Sequence, residues 1–334
     1  MNIQKIPDNF DSKIFNSRAR HPLQSWEWGE VRKKTGIAVV RIGQYDQDVL
    51  QNVFTMTLHN IPHTSFQVGY IPRSVLPTEA LLHFLKEYGK EHNLLFIKFE
   101  PDANKDIVNC KLIENCKLKI GNFKNSPHPL FPTWTQVLDL KPDEDTLLQN
   151  MKSKTRYNIR YAARKGVTVR EESDDQGFKV FSDLYFQTTN RQEYRGHNRS
   201  YHKTVWEGLK NTHAHILIAY HNEVPLAAYE LFIFKDRLYY PYGGSSAQHR
   251  DLMGSNLLMW EAIKLGKKRG AKIFDLWGSL PQNYDRNAKW SGFTRFKEGY
   301  GTQFVQLVGS YDLVINQLLY PIYNIAFSIR NRLI

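Results

Sequence analysis

The chain has 334 residues, 41% of them hydrophobic and 13% aromatic, and its 45 Lys and Arg against 33 Asp and Glu leave a formal charge of +12. Such a length is comfortable for two domains, and the positive balance favours polyanionic partners such as RNA, nucleotides or an anionic membrane face while saying nothing about fold. Cys110 and Cys116 are too widely spaced for a metal knuckle and too few for a disulfide framework, and no uninterrupted apolar run reaches the roughly 20 residues needed to cross a bilayer.

The N-terminal stretch MNIQKIPDNFDSKIF lacks the apolar core of a signal peptide, so the expected location is cytoplasmic. Next come VVRIGQ, NVFTMTLHN and SFQVGYIPRS, which read as strands, then the helical run EALLHFLKEYGKEHN and the strand LLFIKFEP. Later the same plan recurs as HILIAYHNE, VPLAAYELFIF, RLYYPYGGSS, SNLLMWEAIKLGKKRG and AKIFDLW. One α+β unit duplicated in tandem accounts for both passages. Between them, Pro142 with Asp143 signals a helix start and Gly166 a stop.

The junction contains MKSKTRYNIRYAARKG, in which Lys152, Arg156, Arg160 and Arg164 recur every four residues. That spacing forms one slowly drifting stripe on a helix. Seven cations and no acid lie between Lys152 and Arg170, and like charges at i, i+4 repel unless an anion neutralises them. Phosphate binding is the favoured reading, with a solvated face as the alternative. At the far end, LVINQLLYPIYNIAFSIRNRLI is expected to dock on the core as a terminal helix, the alternative being an amphipathic helix lying on a membrane. The twelve His residues show no metal-ligand spacing, and no metal is expected.

Strands in a meander followed by a helix behind the central strand resemble the GNAT acyltransferase fold. CoA-dependent members hold a pyrophosphate on a glycine-rich loop at the start of that helix. Here the matching HRDLMGSN puts Met253 at the first glycine position and Gly254 out of register, while the first copy has PRSVLPTE with no glycine. No CoA or other cofactor is therefore expected.

Five motifs in order, HPLQSWEWGEVRKKTG, KTRYNIRYAARKGV, LLMWEAIKLGKKRGAKIFDLWG, GFTRFKEGYG and VGSYDLV, resemble the Fem family of peptidoglycan bridge-forming aminoacyltransferases. The resemblance implies tandem GNAT-like domains, one comprising residues 1–142 plus 308–334 and the other 143–307, without the coiled-coil arm of some members. It implies a monomer that moves an amino acid from aminoacyl-tRNA to the stem-peptide amine of UDP-MurNAc-pentapeptide or lipid II. Contact with the inner membrane face is the accompanying expectation.

That reaction needs proximity, a proton route and stabilisation of an oxyanion. The resemblance assigns the last to Lys297 beside Phe296, an aromatic suited to stacking on the terminal adenine, with Arg295 adding a phosphate contact. The bland alternative places Phe296 in the core and Lys297 on the surface. For the acceptor's diphosphate it points to Arg32, and for further acceptor contacts to Tyr201 and Tyr242; the loop of the first copy that corresponds to Tyr242's, GYIPRS, offers Tyr70 and Arg73 as further pocket residues. His197 stands where the family carries an Arg, and Arg195 or Arg199 could replace that charge. Gly243 and Gly244, next to Tyr242, would let a ligand approach the backbone. Asp102 matches an acid suggested as general base, its alternatives being turn formation or contact with the acceptor peptide. Two rival functions share these features: aminoacyl transfer to a protein N-terminus, and RNA binding without catalysis.

Overall fold

The computed structural model describes residues 1–108, 121–193 and 196–333; Cys110, Cys116 and Arg195 lie outside them. The chain divides into two compact units, Met1–Thr133 with Gln306–Ile334, and Trp134–Val305. Both contain a seven-stranded mixed sheet flanked by helices, the α+β class.

In the first unit β1 (Asn2–Ile6), β2 (Ala38–Asp46), β3 (Val49–Asn60) and β4 (Gln67–Pro72) form an antiparallel meander. β5 (Leu94–Glu100) then runs parallel to β4, because the helix Glu79–Glu91 carries the chain back across the sheet. Thr78 starts that helix, its Oγ1 accepting from the Leu81 amide at 3.3 Å, and Leu81, Leu82 and Leu85 bury its apolar face. Every residue of β5 is buried. Its far edge is covered by β14 (Tyr311–Val314), which pairs antiparallel with it and also with β6 (Phe123–Asn125). The terminal helix Leu319–Leu333 follows, with Tyr320 and Tyr323 packing edge-on against Phe96.

The second unit comprises β7 (Trp134–Asp139), β8 (Thr168–Glu171), β9 (Ala214–His221), β10 (Val224–Phe234), β11 (Arg237–Ser245), β12 (Ile273–Ser279) and β13 (Gln303–Gln306), in the order β13-β7-β12-β11-β10-β9-β8. The helix Gly254–Lys268 joins β11 to its parallel neighbour β12, as Glu79–Glu91 joins β4 to β5. It packs Leu258, Met259, Ala262 and Ile263 on a core that includes Leu217, Ala219, Leu231 and Leu238. The helix Asp175–Arg191 also packs on this sheet. β7 borders β12 antiparallel just as β14 borders β5, so the duplicated plan extends one strand beyond the segments recognisable in the sequence. Because β7 already belongs to the second sheet, the unit boundary falls at Thr133/Trp134 and not at residue 142. No helix among the described residues is long and apolar enough to cross a membrane.

Candidate functional site

In the second unit β11 and β12 pair only where Arg237–Tyr239 meet Ile273–Asp275. Beyond that point the register of β12 on β7 shifts between Asp275 and Gly278, and Trp277 takes φ +65°. A bulky side chain holds that left-handed conformation only where its surroundings impose it. The Trp277 amide donates to Asp275 Oδ1 at 2.8 Å, and Thr135 Oγ1 lies 2.6 Å from the same oxygen and 2.7 Å from the Trp277 carbonyl.

Lys297 reaches this irregularity from the helix Ser291–Glu298 and is completely buried there, not on the surface. Its Nζ donates to the carbonyl oxygens of Leu276, Gly278 (2.7 Å) and Trp277 (3.5 Å). The Phe293 ring covers it at 3.7 Å, with the Tyr240 ring at 6.0 Å. Burial pushes the ammonium well below the usual lysine range, and the nearby Asp275 carboxylate opposes that shift. Phe296 points elsewhere, against Tyr300 (5.3 Å) and the hydrophobic core. The aromatic partner of Lys297 is thus Phe293, one helical turn earlier, a position that i, i+4 spacing could have disclosed. Arg295 lies exposed on the same helix.

Tyr242, on β11, stands opposite Glu230 of β10 at the edge of a bulge. Its ring meets those of His202 at 4.7 Å and Tyr185 at 5.9 Å. Tyr201 lies in the first turn of the helix Arg199–Leu209, where its amide donates to Asn198 Oδ1 at 2.9 Å and its ring stacks on His197 at 3.7 Å. His202 touches both tyrosines, so Tyr201 and Tyr242 come together through it. Arg199 is engaged within the unit, donating to Asp183 at 2.8 Å and Ser182 at 3.0 Å.

Two residues that sequence reasoning missed lie here. Glu230 and His202 are buried, and the polar atoms of neither side chain have a hydrogen-bond partner among the described residues. Burial raises the Glu230 carboxyl to about 8 and lowers His202 to about 4, so both are held neutral. A lone acid inside VPLAAYELFIF was the available signal. The glycines after Tyr242 serve protein packing, contrary to the expectation of an open approach for ligand. A Cβ on Gly244 would lie 2.4 Å from the backbone of Leu184 and Tyr185, and one on Gly243 would strike the Tyr240 hydroxyl.

The basic stripe lies on the helix Ser153–Arg164, but half of it is already occupied. Lys152 pairs with Glu298 at 2.9 Å. Arg156 donates to the Gln149 carbonyl at 2.9 Å and to that of Met151, capping the helix Glu144–Asn150. Arg160 and Arg164 are exposed beside Tyr157 and Tyr161, whose rings stack at 5.9 Å, while Lys165 lies over Tyr161 at 5.6 Å. What remains available is an Arg and Tyr face.

In the first unit, Ser25 caps the helix Trp26–Lys34 that carries Arg32, and the buried Gln24 ties Thr55 on β3 to Pro72 on β4. Tyr70 donates to Glu100 Oε2 at 2.6 Å; burial and then the Glu100 charge push its hydroxyl well above the usual range, while Arg73 and Arg32 act the other way. Arg32, Tyr70 and Arg73 therefore share one electrostatic neighbourhood. Arg73, at φ +47°, lies over the Phe131 ring at 4.8 Å, and Glu100 Oε1 accepts the Leu130 amide at 2.6 Å. Asp102 follows β5, its amide donating to Ser74 at 2.8 Å. Among the described residues no group of three or more His, Cys, Asp or Glu could hold a metal ion. At the start of the helix Gly254–Lys268, Met253 takes φ +55° and packs against the core.

Comparison with known proteins adds an independent line. A lipid II:glycine glycyltransferase of Staphylococcus aureus (strain MRSA252) is 24% identical over 390 residues, covering 93% of this chain and 91% of its own. The crystal structure of FemX superposes with a TM-score of 0.85 at 21% identity, covering 96% of this chain and 99% of that one. A tandem GNAT protein from the clavulanic acid biosynthesis pathway gives a TM-score of 0.56 at 10% identity, over 94% of this chain and 98% of that one. These two likenesses establish the tandem GNAT fold. The FemAB family model matches residues 7–223 and 210–327, nearly the whole chain, which belongs to the FemAB family.

Proposed function

We propose that this protein transfers an aminoacyl group from the 3′ ester of a charged tRNA to the stem-peptide amine of a peptidoglycan precursor, UDP-MurNAc-pentapeptide or lipid II, building the interpeptide bridge. Support comes from membership of the FemAB family and from the S. aureus relatives that bear the name lipid II:glycine glycyltransferase. The observation that carries the reading is Lys297, a buried cation at the place where β11 and β12 part.

An aminoacyl ester is already activated, so the amine attacks the carbonyl unaided once it is uncharged. The C–N bond forms, negative charge gathers on the former carbonyl oxygen, and the bond to the ribose oxygen then breaks. Lys297 offsets that charge in a site from which water is excluded, where a cation is worth far more than in solution. Its lowered pKa also makes its ammonium a readier proton donor to the departing 3′ oxygen. The proton shed by the amine replaces it, so nothing is consumed. Phe293 and Phe296 frame this helix, the first over Nζ and the second on the core.

Arg32, with Tyr70 and Arg73, supplies the cationic neighbourhood for the acceptor's diphosphate. Tyr201 and Tyr242 hydrogen-bond the acceptor, and Asp102 contacts its peptide. Arg160, Arg164 and Arg295 meet tRNA phosphates, with Tyr157 and Tyr161 as stacking surfaces. The test is to incubate purified protein with mixed charged tRNAs and either acceptor. Mass spectrometry should show the acceptor heavier by one amino acid; no adduct on either acceptor would refute the proposal.

A further inference from the structure

The terminal helix Leu319–Leu333 has two apolar sides. Tyr320, Tyr323 and Phe327 face inward, onto Phe96 and His128. Leu318, Ile322, Ile325 and Ile329 are 84%, 61%, 62% and 54% exposed. At 100° per residue Ile322, Ile325 and Ile329 fall within a narrow arc opposite the inward set, and Leu318 stands in the turn just before the helix. Three large aliphatic side chains in one exposed line, with a fourth just before it, are unusual on a surface that has no occupant for them.

The charge around this line selects the occupant. From Leu313 to the last residue the sequence holds two arginines and no acid. Arg330 is exposed over the Phe327 ring at 4.8 Å, and Lys124 lies over the Tyr320 ring at 4.6 Å. The acid that most closely precedes this segment in the sequence, Asp312, is buried between Lys98 (2.9 Å) and the Tyr320 hydroxyl (2.7 Å), so it offers no countercharge at the surface. A second copy of this chain would bring the same arginines and no acid to meet them, against a net charge of +12 on each partner. We infer that the exposed face of the helix Leu319–Leu333 docks on an anionic lipid surface. The four aliphatic side chains enter the headgroup–acyl boundary, and Arg330 and Lys124 meet lipid phosphates. The helix then lies in the plane of the interface, one side on the protein and the other in lipid.

The test is co-sedimentation of the full chain with vesicles of phosphatidylcholine alone or mixed with phosphatidylglycerol. Binding to the mixed vesicles should be about tenfold tighter and should weaken with salt, and the double variant Ile322→Gln, Ile325→Gln should lose about tenfold or more. Both side chains are exposed, so circular dichroism should be unchanged in the variant. Equal binding by the variant, or no binding by the parent, overturns the inference. So does self-association of the parent that the variant abolishes, which would make a second copy the occupant. The assay contains no substrate, so its result is separate from that of the transfer reaction.

Discussion

Phe293 and Lys297 stand one helical turn apart, and the ring of the first lies 3.7 Å from Nζ of the second. With carbonyls on the other side, the ammonium is held in a dry, fixed position. If its charge serves transfer, Lys297→Met should lower kcat/KM by on the order of 10²–10³. The protonated amine is the active form, so activity should fall as pH rises through a pKa below the ordinary 10.5. Lys297→Arg keeps its charge at any accessible pH and should lose that alkaline limb. A pH–rate profile of both variants and the parent checks this.

Glu230 and His202 should shape stability from opposite sides. The folded state holds the Glu230 proton up to about 8 against 4.5 when unfolded. Its contribution is therefore complete below pH 4.5 and is lost as pH rises towards 8, on the order of 4–5 kcal/mol in all. His202 titrates at about 4 when folded against 6.5 unfolded, so its contribution is complete above pH 6.5 and is lost as pH falls towards 4. Urea midpoints measured from pH 4 to pH 9 should show Glu230→Gln gaining stability at alkaline pH. His202→Phe should flatten the acidic side.

Reversing Arg160 and Arg164 to Glu should leave the fold intact, since both side chains are exposed. The slope of log K for tRNA against log salt should fall by about 2, one unit for each lost phosphate contact. Arg156→Ala should behave differently, uncapping the helix Glu144–Asn150 and lowering thermal stability. Filter binding across a salt series, with melting curves alongside, distinguishes the two.

Gly244→Ala should destabilise the second unit by several kcal/mol, roughly the upper range for overpacking. The added Cβ meets backbone, which cannot rotate away. Thermal melting of the variant checks this.

The strands and long helices were legible because their patterns are local. LLFIKFE and RLYYPYGGS are apolar runs of strand length, and EALLHFLKEYGKE carries its leucines at helical spacing. β7 and β14 escaped notice as matching strands because their partners lie far away in sequence, at β12 and β5. Lys297 was legible as a candidate but not as a buried residue, since the carbonyls that receive it come from an irregularity at Trp277 that no local pattern announces. Arg156 read as a free cation because the carbonyls it caps become available only when the preceding helix ends. Glu230 and His202 were hidden because their meaning depends on what fails to surround them.

The position of β14 sets an order of events at the ribosome. β5 and β6 emerge early, yet the strand that joins them is Tyr311–Val314, and at about 5–20 residues per second it appears roughly ten to forty seconds later. The unit begun first must therefore be finished last. Meanwhile β5 presents an open hydrogen-bonding edge to the crowded cell, and nascent chains stalled before residue 311 should be the ones that holdase chaperones retain.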